Sequence, residues 1–153
     1  MEKLLKTMMV MAVGSILILA ISAAPARAQL STFTALLNSG QEPPPNTNTS
    51  NAFGVAFMTL DGITGELCFS ITYTDERLTS AETAAHFHAP APPGVNAGVI
   101  IPLPPGSPKN GCVTLAEGQA DLFFAGLVYI NVHTANNPGG EIRGQVQTTF
   151  ISY

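Results

Sequence analysis

Positive charge is what this sequence has least of. Beyond residue 28 the only basic side chains are Arg77, Lys109 and Arg143. Nine carboxylates oppose them: Glu42, Asp61, Glu66, Asp75, Glu76, Glu82, Glu117, Asp121 and Glu141. Three cations against nine anions leave this part of the chain near −6. Such a surface repels phosphate backbones and anionic lipid, which argues against a nucleic-acid partner. Cysteine is also scarce. Cys68 and Cys112 are the only two, and no C-x-x-C is present, so a thiolate metal site is not expected. Also missing are a G-x-S-x-G elbow, a histidine beside an evident nucleophile, and a glycine-rich phosphate loop opening a helix. Clustered carboxylates of the glycosidase kind are not visible from spacing. The chain has no internal repeat.

Only one long apolar run exists, and it comes first. Lys3 and Lys6 precede "MMVMAVGSILILAISAA", and Ala26-Arg27-Ala28 follows. A charged start, an apolar stretch and a small-residue site describe a secretory signal peptide over 1–28, with Gln29 opening the mature chain. No later stretch is long and apolar enough to span a bilayer, so no stable membrane insertion is expected after cleavage. The protein is expected to be secreted or periplasmic. Export leads to an oxidising compartment, where an even cysteine count favours a Cys68–Cys112 disulfide.

Residues 29–153 suit one domain with its own core. They read as short strands between turns. "ELCFSITYT" places Leu67, Phe69, Ile71 and Tyr73 on one face and Cys68, Ser70 and Thr72 on the other, the period of a half-buried strand. "TFTALL", "AFGVAFMTLD", "TAAHFHA", "GVIIPL", "CVTL", "LVYINVHT" and "EIRGQVQTTFIS" read similarly. "NSGQEPPPNTNTSN", "PAPPGVNAG", "PPGSPKNG" and "ANNPGG" are loops and turns. One short helix or helical turn is expected near 116–125, ended by Gly126. The fold class is therefore all-β: an antiparallel Greek-key β-sandwich.

All three histidines lie in two of these strands. His86 and His88 alternate with Ala85, Phe87 and Ala89, and His133 alternates with Val132. Each projects from the non-core face. Three imidazoles suit zinc or copper and leave one position for water or a substrate. Equally, the rings could donate to loop carbonyls and fix the proline-rich connection. Glu42 could complete a metal shell or orient an imidazole, or it could be a turn residue bonding backbone amides. Asn131 shares the face of His133 and could hold that ring or cap a strand end. Glu141 and Arg143 flank Ile142, share a face and are expected to form an exposed pair worth about 0 to 1 kcal/mol. Arg143 near a metal would attract anions.

"GQEPPPNTNTSNAFGVAFMTLD", "TGELCFSITYT", "AAHFHAPAPPGVNAGVIIPL" and "LVYINVHTANNPGGEIRGQV" resemble the CHRD domain, named after chordin. The resemblance runs from about Phe33 to about Val146. It implies a secreted binding module. A more distant resemblance is to copper/zinc superoxide dismutase, a Greek-key sandwich with copper held by an H-x-H strand and a later "VxVH" strand. "HFH", "INVH", "PGG" and Arg143 follow in the same order here. The dismutases need further histidines, and this chain has none, which argues against their mechanism. Three readings stand: a binding protein with a His86, His88 and His133 zinc or copper site, a metal-free structural or adhesive module with no known partner, and a small metal-dependent enzyme.

Overall fold

The computed structural model describes residues 30–44 and 48–149. The leader expected over 1–28 lies outside them. Nine strands and one short helix follow the sequence pattern closely. The strands are β1 (Leu30–Asn38), β2 (Phe53–Asp61), β3 (Glu66–Tyr73), β4 (Glu82–His88), β5 (Val99–Pro102), β6 (Lys109–Thr114), β7 (Tyr129–Thr134), β8 (Ile142–Gln145) and β9 (Gln147–Thr148). The helix α1 spans Gln119–Phe124, inside the expected stretch.

Hydrogen bonding runs in the order β5-β4-β7-β8-β1-β2-β3-β6, with β9 beside β1. Every pairing is antiparallel. The sheet curls on itself into two facing halves. β1, β2, β3, β6 and β9 make one half, and β5, β4, β7 and β8 make the other. They are joined where β1 meets β8 at a single pair, Asn38↔Arg143. The chain changes halves between β3 and β4, β5 and β6, β6 and β7, and β8 and β9. These are Greek-key crossings.

Alternation decides what lies between the halves. Leu67, Phe69, Ile71 and Tyr73 of β3 are all buried, as are Ala85 and Phe87 of β4. Phe69 meets Phe87 across the gap with ring centroids 5.9 Å apart. Phe123 of α1 closes the same core, 5.7 Å from both Phe33 and Phe87. Fully burying one such ring contributes about 1.5–3 kcal/mol, so this cluster is a main source of stability.

Two expectations fail. The turn expected over 104–111 ends early, because Lys109, Asn110 and Gly111 already belong to β6. Lys109 is the reason. Its ammonium is buried, bonds Glu82 Oε1 at 2.6 Å and Pro104 O at 2.7 Å, and so fixes the strand's first residue. Tyr73 donates its hydroxyl to the other oxygen of Glu82. Glu141 and Arg143 do not form the exposed pair either. Both are buried, at 0% and 1% exposure. Loops lie over the outer face of the β4–β7–β8 half and take these side chains as their own partners. That face is a second, polar interior.

Candidate metal centre

β4 and β7 build the site by register. His86 stands opposite Asn131, His88 opposite Tyr129, and Ala84 opposite His133. His133 is therefore the diagonal neighbour of His86 on the same face. The ring centroids of His86 and His88 are 5.4 Å apart, those of His86 and His133 5.1 Å, and those of His88 and His133 5.6 Å. One ring nitrogen from each histidine lies within 4.8 Å of the other two.

Backbone carbonyls set which nitrogens face inward. His88 Nδ1 lies 3.0 Å from Ala97 O, and His133 Nδ1 lies 3.0 Å from Pro138 O. A carbonyl oxygen only accepts, so each Nδ1 carries the proton. In the neutral ring this leaves the lone pair on Nε2. The two Nε2 atoms face each other at 3.4 Å. Burial holds the pKa of both rings below the ordinary histidine value, although the carbonyl bonds oppose the shift. Two neutral rings thus aim lone pairs at each other. His86 adds a buried Nδ1 with no hydrogen-bond partner. Anchoring a loop and offering a ligand are therefore compatible: one nitrogen of His88 or His133 does the first and leaves the other for the second.

The remaining candidates are placed around this group rather than in it. Arg143 sits over Tyr129, its Cζ 3.5 Å from the ring centroid, while His88 stacks with Tyr129 at 4.8 Å. Its guanidinium donates to Val95 O at 2.8 Å and more weakly to Pro92 O and Asn96 Oδ1. Arg143 thus ties down the proline-rich loop over 90–98. Asn131 donates to Gly139 O at 3.4 Å, not to His133. Glu42 touches Asn131 and lies near Arg143; burial raises its pKa to about 7, opposed by those two neighbours. It is not one of the residues whose ligand atoms group with the histidines.

A sequence model of the CHRD domain matches residues 33–146, most of the chain. The chain belongs to the CHRD family. No curated protein and no solved structure matches it. Two of the segments that carried the resemblance build the histidine group. In this CHRD domain "HFH" and "INVH" are paired strands, and "NNPGG" is the turn whose Pro138 carbonyl holds His133. Cys68 and Cys112 face each other across β3 and β6 and form a disulfide, with Cα atoms 4.0 Å apart. That is tighter than the usual 4.4 Å minimum, as directly opposed residues of an antiparallel pair allow. Together with the family, the disulfide marks an extracellular-type module. No helix among the described residues is long and apolar enough to cross a membrane.

Sequence reading missed Tyr129 as the plate between His88 and Arg143, and Gln145 as a second tie to the loop, through Ala91 O at 2.9 Å. Strand alternation does put Tyr129 on the histidine face, which was the available signal. It missed the Ala97 and Pro138 carbonyls because a backbone acceptor leaves no mark in a sequence. His86 also borders a cleft of about 710 Å³ walled by Tyr73, Leu78, Glu82 and Leu103.

Proposed function

We propose that this CHRD domain is an extracellular metal-binding module, in which His86, His88 and His133 hold zinc or copper. One observation carries the reading: the Nε2 atoms of His88 and His133 face each other at 3.4 Å with both Nδ1 protons committed to carbonyls. Two nitrogens bound tetrahedrally at about 2.0–2.1 Å from zinc are about 3.3–3.4 Å apart. The unpartnered Nδ1 of His86 supplies the third donor. Imidazole nitrogens suit both ions, and the fourth position remains for water or an outside ligand.

The expected leader over 1–28 and the disulfide support a secreted or periplasmic location. Mass spectrometry of the exported protein is expected to find Gln29 at the N-terminus. A full-length mass in that fraction rules out cleavage after Ala28. For the metal, the test is elemental analysis of protein purified without a histidine tag, followed by calorimetry with zinc and with copper at pH 7. One ion per chain is expected. No heat with either ion leaves a structural or adhesive module. Turnover of superoxide or peroxide above that of the free metal would instead establish the enzyme reading.

A further inference from the structure

The two halves of the sandwich differ on their outer faces. Loops cover the β4–β7–β8 half. The face made by β1, β2, β3 and β6 is bare. Leu36 is 67% exposed, Phe57 61% and Phe53 51%, with Val55 beside them at 36%. Register makes these one patch: Leu36 stands opposite Val55, Asn38 opposite Phe53 and Thr34 opposite Phe57. Across β2 the outward residues continue as Thr72, Ser70 and Cys68 of β3, then Asn110 and Cys112 of β6. None of them is charged. Exposed aromatic rings gathered on one uncharged surface mark a place of contact.

The face is uneven along its strands. Leu36, Val55 and Phe53 make a bulky end. Toward the other end, small side chains and the disulfide leave a hollow of about 490 Å³, lined by Thr32, Thr34, Thr59, Ser70 and Cys68, with Phe57 on its wall. Charge appears only at the margins. Asp61 and Glu66 stand at the hollow end. At the bulky end Arg77 lies over the Phe53 ring, its Cζ 5.6 Å from the centroid. Asp75 and Glu76 precede it in the same turn, but it is Arg77 that covers the ring. Lys109 and Arg143 are both buried, so among the described residues Arg77 is the one exposed cation.

We infer that this face pairs two copies of the chain, sheet on sheet, about a two-fold axis that crosses β2 near Phe57. Two placements of such an axis exist. An axis along the strands sets bulky end on bulky end and Arg77 on Arg77. An axis across the strands sets each bulky end in the opposite hollow and each Arg77 beside the partner's Asp61 and the partner's Glu66. The second is complementary in shape and in charge at once. Two copies each near −6 repel one another at range, which confines contact to a face without charge. A flat bilayer would leave the hollow unfilled and lose those contacts. The area is sufficient. Four strands about 4.8 Å apart, each of about eight residues at about 3.4 Å, span about 500 Å². Two copies then bury about 1,000 Å², the least that a specific interface needs. A weak dimer, dissociating in the micromolar range, is expected. The pairing does not depend on the metal reading.

The test is sedimentation equilibrium of the protein from the exported fraction, at pH 7 with EDTA, from about 1 μM to about 1 mM. EDTA keeps metal from bridging copies through the histidines. A monomer–dimer equilibrium is expected. Phe57→Asp places two carboxylates in the apolar centre and is expected to weaken it about 100-fold or more. Leu36→Lys, on the neighbouring strand, is a second variant should the first fail to fold. Arg77→Glu is expected to weaken the dimer about 5-fold, and adding Glu66→Lys to it is expected to restore the affinity. Loss of packing on Phe53 alone would not be rescued in that way. A chain that stays monomeric to 1 mM, or Phe57→Asp and Leu36→Lys that dimerise as well as the wild type, overturns the proposal. A monomer that partitions onto phosphatidylcholine vesicles, and loses this in Phe57→Asp, assigns the face to lipid and overturns it too. A dimer that the Glu66→Lys change does not rescue overturns the crossed arrangement.

Discussion

Glu141→Ala is expected to cost about 3–5 kcal/mol, the usual range when one partner of a buried charged network is removed. Four donors set that size. The Glu141 carboxylate accepts from Thr79 N at 2.7 Å, Thr79 Oγ1 at 2.7 Å, Thr134 Oγ1 at 2.6 Å and Asn137 Nδ2 at 3.0 Å. Each bond to a charged group is worth about 1.5–3 kcal/mol, and the four act as one unit, so they do not add. Their pH signature is specific. Burial alone would raise this pKa, but bonds from Ser50, Thr134 and Thr79 outweigh it and hold the group at about 2. The folded chain therefore binds this proton less readily than the unfolded chain, whose glutamate titrates near 4.5. The stabilisation is fully present above pH 4.5 and is lost as pH falls toward 2. A gap of that size corresponds to about 3 kcal/mol. Urea unfolding of wild type and Glu141→Ala at pH 7, 4.5, 3 and 2 measures it. The difference between them is expected to hold steady from pH 7 to 4.5 and then to narrow. A difference below about 1 kcal/mol at pH 7, or one that persists unchanged at pH 2, refutes the reasoning.

His133→Ala is expected to abolish zinc and copper binding while circular dichroism still shows the sheet, since the ring lies off the apolar core; wild-type binding is expected to persist through the ordinary histidine pKa of 6.5 and to weaken at lower pH, because burial holds His88 and His133 below that value. Retained one-to-one binding in the variant counts against the three-histidine site. Replacing Cys68 and Cys112 together by Ala is expected to lower stability by about 2–4 kcal/mol, and a reducing agent should do the same to the wild type; denaturant midpoints check both. Gly140→Ala meets both Asn131 and Glu42 and forces an alanine to φ +135. It is expected to lose about 1–3 kcal/mol in thermal unfolding, with a neutral result showing that the turn can shift.

The strands were legible because one side of each is apolar. Leu67, Phe69, Ile71 and Tyr73 alternate in sequence and are all buried. The H-x-H spacing placed His86 and His88 on one face without further help. His133 was different. Alternation turned it outward, but only the β4–β7 register brings it beside His86, and no local pattern sets that register. The polar residues misled for a related reason. Glu141 and Arg143 occupy outward positions, which pattern reading equates with water. Connections from distant parts of the chain cover them, through Thr79 on one side and Val95 on the other. The closing segment was also read as one strand. It leaves β7 after Gln145 and takes up β1 from Gln147, with Val146 bonded back to Val128.

That switch of partners has a consequence for the order in which the molecule can form. Among the described strands β1 is synthesised first, and β2 fills one of its flanks almost at once. Its other flank waits for β8 and β9, the last of the described strands. Arg143 meets Asn38 across 105 residues (143 − 38). Closing so long a loop precedes any return from the contacts it makes, which places folding on the millisecond-to-second scale rather than the microsecond one. Until then the backbone of β1 offers an open edge to any other chain. A chain ending before residue 142 would keep that edge permanently, and aggregation rather than a slightly weaker domain is the expected outcome of such a truncation.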